Sequence, residues 1–289
     1  MKSKPIATLC FRTLARLLRL FPKKLSHALG FHWLARIQAS GKIVTEVYPG
    51  IWMDLDLGDW LQRLYYLGFV EQQRLSLIKS LVPQGGTFVD IGANVGLYAC
   101  VMAKHVGPSG SVIAFEPMTE CVDQLHSNIQ LNQFENVTVE PVALTDRAST
   151  FQLYVPAKHP GGPSAATQIW NPGGWKTAGR ALGTTLDLAF DGERLDFIKI
   201  DVQGHESQVL QGALNVIERF RPVILCEVQE SSRNSFFEFA ASYKYDLLME
   251  KKGQWVSSIP TSGWCDLFLV PKKSNVRLNM VNSERAARD

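Results

Sequence analysis

The sequence predicts an α/β domain built on a mostly parallel sheet with helices on both faces. Three observations predict it. From Thr87 onward, the short apolar segments TFVDIG, SVIAFEP, VTVEPVAL, DFIKIDV and PVILCEV alternate with segments of helical period near 95–105, 119–131 and 205–220. Strands separated by helices imply crossover connections, and apolar runs without alternation imply strands buried on both faces. A glycine-rich segment, Asp90-Ile91-Gly92-Ala93-Asn94-Val95-Gly96, directly follows the first of these strands and opens a helix. Glu116 closes the next strand, 20 residues after Gly96. Open sheets of this kind collect ligands at those strand ends.

The elements follow in order. Residues 1–45 carry nine Lys and Arg and no acid, so against a total of +3 the rest of the chain carries −6. Arg12, Arg16, Arg19 and Lys23 recur at helical steps, with Leu14, Leu17, Leu18, Phe21 and Leu25 on another face. Pro22 divides the pattern into two short helices. Arginines interrupt the apolar stretch and no small-residue cleavage site follows, unlike a signal peptide. The expectation is a basic amphipathic arm over 1–42, packed on the main domain or touching an anionic membrane surface. Residues 43–57 alternate around Pro49-Gly50 and predict a hairpin. Residues 59–80 have a helical period, completing a unit over 43–83 that leads into a core domain over 84–271. Within that domain, 156–181 is rich in Pro and Gly, contains Trp170 and Trp175, and predicts a long loop able to serve as a lid. The last strands fall near 246–250 and 264–270, and 272–289 is a polar tail.

Composition excludes several classes. Hydrophobic residues at 46% and charged residues at 20% are globular values, and no apolar run approaches the length of a membrane span. Five scattered cysteines without metal-ligand spacing point to a reducing compartment, so the expected location is cytoplasmic. Expected partners are a small-molecule or glycoconjugate acceptor, not nucleic acid.

The glycines of the 90–96 turn let a ligand approach the backbone, and Glu116 can accept both hydroxyls of a ribose. A dinucleotide site asks for a second glycine where Asn94 stands, and a helix end facing a pyrophosphate. Asp90 suits a bound amine and repels phosphate. S-adenosylmethionine, with a ribose, an amino acid moiety and no phosphate, is therefore the expected cofactor. With Pro117 beside Glu116 and Ala143 in the following strand segment, the expected cofactor contacts are Asp90, Gly92, Asn94, Gly96, Glu116, Pro117 and Ala143.

The segments FVDIGANVGLYA, VIAFEPMTECVDQL, NVTVEPVALTD, TTLD and FIKIDVQGHESQVLQGA together resemble the FkbM-type S-adenosylmethionine-dependent methyltransferases. The resemblance runs from roughly Gly68 to Val270. It implies a Rossmann-like class I methyltransferase fold, a seven-stranded, mostly parallel sheet whose last strand is antiparallel. It also implies methyl transfer, generally to a hydroxyl oxygen of a sugar or secondary metabolite. The family pattern has Glu where this chain has Gln203, and nothing about residues 1–42 is inherited from it. The rival readings are a nicotinamide-dependent oxidoreductase and a methyltransferase-like binding protein without activity.

Strand geometry supplies the second chemical cluster. Lys199 and Asp201 face the same side by alternation, and Asp201 and Glu227 end neighbouring strands at the ligand crevice. Oxygen methylation needs in-line positioning and removal of one proton. Asp201, His205 or Glu227 are the candidates to take it, and Lys199 to tune Asp201 or the substrate hydroxyl. Glu206 is expected to brace its loop. Two carboxylates with room for water also suit a divalent metal, but no third ligand is identifiable, so simple proton removal is favoured.

Overall fold

The computed structural model describes residues 8, 9, 11, 13, 14, 39–69, 71–156, 175–251, 254–257, 259, 260 and 262–274. Five strands run parallel at its centre: β3 (Thr87–Ile91), β4 (Ser111–Phe115), β5 (Val137–Glu140), β9 (Phe197–Ile200) and β10 (Val223–Val228). β13 (Cys265–Pro271) pairs antiparallel to β10, and β11 (Tyr245–Lys251) antiparallel to β13. The order is β12 (Gln254–Val256), β11, β13, β10, β9, β3, β4 and β5. Seven of these strands, with β13 alone reversed, form the sheet that a class I methyltransferase fold requires. The eighth, β12 (Gln254–Val256), is a three-residue addition to the edge of β11. Its shortness and polar start left no alternation in the sequence to read.

Alternation along the strands sorts side chains into two cores. Phe88, Val112, Ala114, Phe197, Val223 and Leu225 face one side, under α3 (Leu97–Val106) and α4 (Thr119–Leu131). Val89, Ile91, Ile198, Ile200, Ile224 and Cys226 face the other, under α6 (Glu206–Gln211), α7 (Leu214–Phe220) and α8 (Arg233–Ser242). Both faces are dry, which is why these strands read as apolar runs. The same parity puts Asp90, Lys199, Asp201 and Glu227 together on the α3 side.

Upstream, β1 (Lys42–Tyr48) and β2 (Ile51–Asp56) form the expected hairpin. The helical period of 59–80 resolves into two helices, α1 (Trp60–Leu67) and α2 (Gln72–Leu81). Asp59 caps α1 by accepting the Gln62 N–H at 3.0 Å. Gly68, at φ +86°, ends it with its N–H on the carbonyls of Leu64 and Tyr65. Residues 205–220 likewise divide into α6 and α7 at Gly212, where a Cβ would stand 1.9 Å from the Thr145 carbonyl oxygen.

Two expectations need correction. The segment VTVEPVAL is not one strand: β5 belongs to the main sheet, and β6 (Ala143–Leu144) joins a separate three-stranded sheet. That sheet is completed by β7 (Ser149–Pro156) and β8 (Trp175–Thr184), paired antiparallel, with β8 parallel to β6. The loop predicted over 156–181 is therefore a strand from Trp175 onward. Gly179 and Gly183 disguised it: Gly179, at φ +147°, lies at the register shift, and Gly183 leaves room for the Phe151 ring. Trp170 and the rest of 157–174 lie outside the described residues.

Most of the basic arm also lies outside them. Within residues 8–14, Phe11 is fully buried and packs on Tyr66 with ring centroids 5.7 Å apart. Leu14, expected on the apolar stripe, is 39% exposed. Among the described residues no helix is long and apolar enough to cross a membrane.

Candidate active site

A cavity of about 490 Å³ opens at the carboxyl ends of β4, β3, β9 and β10, within the size range of small-molecule sites. Gly92, Asn94, Glu116, Pro117, Ala143, Lys199, Asp201, His205 and Glu227 all line it. These residues come from five separate segments, and the fold brings them together. Asp90 and Gly96, expected beside them, do not line it.

The turn after β3 explains the glycines. Gly92 lies at φ +77°, and a Cβ there would fall 2.0 Å from the Asp201 carbonyl oxygen. Only glycine lets the two strand ends meet. Gly96, at φ +90°, caps α3, and a Cβ would strike Leu125. Its work is packing. Asn94 adopts φ +53°, a left-handed conformation that asparagine tolerates better than most residues, and so fills the place where a dinucleotide site asks for glycine.

Glu116 anchors this turn. Its carboxylate accepts the Asn94 N–H on Oε2 and the Met118 N–H on Oε1, both at 2.9 Å. Each oxygen keeps a further lone pair for a ligand donor. Burial pushes its pKa up to about 7, the two backbone hydrogen bonds only partly opposing the shift.

Asp90 was expected to meet a ligand amine directly. It is instead fully buried beneath the cavity floor, and Lys199 Nζ holds its Oδ1 at 3.0 Å. The register pairs the same two residues across β3 and β9. Lys199 also stands 3.7 Å from Asp201 Oδ2, donates to the Gly92 carbonyl at 3.3 Å, and lies 4.9 Å from the Tyr98 ring centroid. Burial alone would lower its pKa, but the carboxylates of Asp90 and Asp201 outweigh burial and raise it. The ammonium is therefore held charged.

Beyond Lys199, Asp201 receives the Gln203 amide at 3.3 Å. A glutamate at 203 would set two like charges there; Gln203 supplies a donor instead. Cys226 pairs with Ile200, which puts Glu227 beside Asp201. Burial, then the charges of Asp201 and Asp266, push the Glu227 pKa up to about 7. Among the described residues no group of three or more His, Cys, Asp and Glu is arranged to hold a metal ion.

His205 Nε2 lies 2.8 Å from Thr145 Oγ1. That hydroxyl donates its one proton to Asp146 at 3.0 Å, so His205 donates through Nε2 and its Nδ1 remains an acceptor. Burial lowers its pKa. Glu206, 1% exposed, turns back to accept the Gly204 N–H at 2.8 Å, bracing the loop as expected.

Sequence reasoning missed part of the lining. Trp60, Leu64, Tyr65 and Phe69 from α1 and its exit, with Glu71 at the start of α2 and Arg74 within it, also line the cavity. Arg74 pairs with Glu71 at 2.8 Å and with Asp266, and the Tyr98 hydroxyl donates to Glu71. The amphipathic period of 59–80 was visible, but nothing local told which helix face meets a ligand.

Comparison with known proteins identifies the family. The methyltransferase FkbM domain matches residues 90–253, more than half of the chain. Methyltransferase sdnD of Sordaria araneosa is 29% identical over 160 residues, 45% of this chain and 61% of that protein. The hexuronic acid methyltransferase AglP of Haloferax volcanii is 27% identical over 158 residues, 54% of this chain and 61% of that protein. The chain thus spans about three fifths of the length of these curated relatives. A methyltransferase FkbM structure from Methylobacillus flagellatus superposes with a TM-score of 0.44 at 13% identity, over 85% of this chain and 60% of that one. With its matched domain built around this cavity, the chain belongs to the FkbM family of methyltransferases.

Proposed function

We propose that the chain transfers the methyl group of S-adenosylmethionine to a hydroxyl oxygen of a carbohydrate or related polyol metabolite. The observation that carries this reading is a single cavity lined by Glu116 at one end and the Asp201–Glu227 pair at the other. β4 and β10 are three strand spacings apart, about 14 Å, which leaves room for a nucleoside and an acceptor side by side.

The residues present fit the cofactor. Glu116 has free lone pairs for a ribose diol, Gly92 leaves the backbone open, and the Asp90–Lys199 pair stabilises the turn that presents both. When bound, S-adenosylmethionine supplies a methyl group made electrophilic by its sulfonium.

The chain's own residues then orient the acceptor and take its proton. Glu116 and the Gly92 turn would hold S-adenosylmethionine while the acceptor oxygen takes up its methyl group, leaving the neutral thioether. The hydroxyl proton passes to Glu227, whose raised affinity matches a base working near neutral pH. Asp201, held in place by Lys199 and Gln203, orients the hydroxyl. His205 Nδ1 is the alternative acceptor within the same cavity. The similarity to sdnD supports methyl transfer, and the similarity to AglP, named for hexuronic acid, supports a sugar acceptor without specifying which.

Calorimetric titration with S-adenosylmethionine, S-adenosylhomocysteine and NAD tests the cofactor assignment. Binding of the first two and not of NAD is expected. Tight binding of NAD alone would overturn it. Label from methyl-tritiated S-adenosylmethionine should then appear in base-stable ether linkages; label released by mild base would place it on a carboxylate instead.

A further inference from the structure

The charges around the cavity are lopsided. Glu71, Glu116, Asp201 and Glu227 line it, and Asp90 and Asp266 stand directly behind. Against these six carboxylates stand two cations, Lys199 and Arg74. Neither is uncommitted: Lys199 is held by Asp90 and Asp201, and Arg74 by Glu71 and Asp266. Among the described residues, then, no free cation faces an acceptor. Counting both Glu227 and Glu116 as neutral still leaves four carboxylates against two cations, and the single positive charge of the cofactor's sulfonium does not reverse that balance.

The cavity also carries aromatic planes. Trp60, Tyr65 and Phe69 reach the cavity from residues upstream of 90–253, the span matched by the family domain. Aromatic faces beside carboxylate acceptors suit a polyol ring, whose C–H face is apolar and whose hydroxyls donate. An amine on such a ring would find partners at once. A carboxylate or phosphate would meet like charges at short range with no free cation among the described residues to bind it, which disfavours it.

We infer that the acceptor is a neutral or amine-bearing polyol, and that Glu71, Asp201 and Glu227 exclude uronates and phosphorylated sugars from this site. The inference rests on the proposed methyl transfer to a hydroxyl, and it separates this chain from the relative named for hexuronic acid.

Saturation-transfer NMR on the full chain loaded with S-adenosylhomocysteine tests it, with the methyl glycosides of glucose, glucosamine and glucuronic acid as probes. The glucoside and glucosaminide should bind, and the glucuronide at least about tenfold more weakly. The gap should narrow as salt rises, because the rim charges are partly exposed. Glu71→Gln removes one carboxylate and releases Arg74, and should raise glucuronide binding while leaving the affinity for S-adenosylhomocysteine unchanged. Glucuronide binding equal to or tighter than that of the glucoside overturns the inference and leaves the proposed methyl transfer standing. Absence of transfer to all three probes, with S-adenosylhomocysteine bound, overturns the carbohydrate acceptor itself and this inference with it.

Discussion

Lys199 and Asp90 form an ion pair at 3.0 Å with 5% and 0% of their side chains exposed, directly across the β3–β9 register. Two charges so buried are costly to desolvate and are retained only with good geometry. Here the ammonium also reaches Asp201 and the Gly92 carbonyl, so one side chain ties together β3, β9 and the turn between β3 and α3.

Removing one partner strands the other. Lys199→Met leaves Asp90 buried without its cation, and the expected loss in unfolding free energy is about 3–5 kcal/mol. Asp90→Asn in the same chain should recover most of it, since neither charge then remains. Denaturant unfolding of the two single variants and the double variant checks this. If the three losses simply add, the pair is not coupled.

Glu116 makes cofactor binding sensitive to pH. Its folded pKa of about 7 lies above the ordinary 4.5, so the folded apo protein holds this proton longer than the unfolded chain does. The contribution to stability therefore falls as pH rises from about 4.5 to 7. Ribose hydroxyls donate to the ionised form, so affinity for S-adenosylmethionine should climb as pH rises toward 7 and level off above it. Glu116→Gln should flatten that profile and weaken binding at pH 8 by about 1–3 kcal/mol. Calorimetry across the range reads both; a profile that survives the substitution assigns the proton elsewhere.

At the acceptor end, Glu227→Gln removes the proton acceptor while keeping the shape. Turnover should fall by about 10²–10⁴ with cofactor affinity nearly unchanged. Asp201→Asn disturbs orientation and leaves Lys199 with one carboxylate fewer, so turnover should fall and the acceptor KM rise. A Glu227→Gln variant near wild-type turnover, with His205→Ala inactive, would transfer the base to His205.

How far the sequence could be read depended on how local the signal was. The β3 turn and Glu116 were legible because a strand, two glycines and a carboxylate lie within a short stretch. Asp201 and Glu227 were legible as the ends of neighbouring strands, with parity setting Lys199 beside Asp201. Asp90 misled: a carboxylate beside a glycine turn looks like a ligand group until Lys199, 109 residues away, is seen to occupy it. Parity had placed Lys199 beside Asp201 but could not bring it across to a different strand. The α1–α2 wall was illegible for the same reason, since which helix face meets the cavity depends on packing over the whole sheet. β8 failed differently, because Gly179 and Gly183 serve a bulge and a close ring contact that resemble loop chemistry.

The hairpin and the cofactor turn are joined through α4. Asn128 and Asn132 are one helical turn apart and lie on the same face, and Asp54 and Trp52 are two residues apart on one edge of β2. The spacings match, so each asparagine satisfies the strand backbone: Asn128 Oδ1 accepts the Asp54 N–H at 2.8 Å, and Asn132 bonds both N–H and C=O of Trp52 at 2.9 and 2.6 Å. Asn128 differs in being fully buried and in donating to the Val95 carbonyl at 2.8 Å, inside the turn that lines the cavity. Asn128→Leu leaves two buried backbone groups unpaired at about 1–3 kcal/mol each, and should loosen the turn enough to weaken S-adenosylmethionine binding. Asn132→Ala faces solvent, where water replaces the lost bonds, and should cost about 1 kcal/mol or less with cofactor affinity intact. Thermal unfolding and cofactor titration of the two variants separate the roles. Equal losses of cofactor affinity in both would mean that the whole hairpin, not the Asn128–Val95 bond, positions the turn.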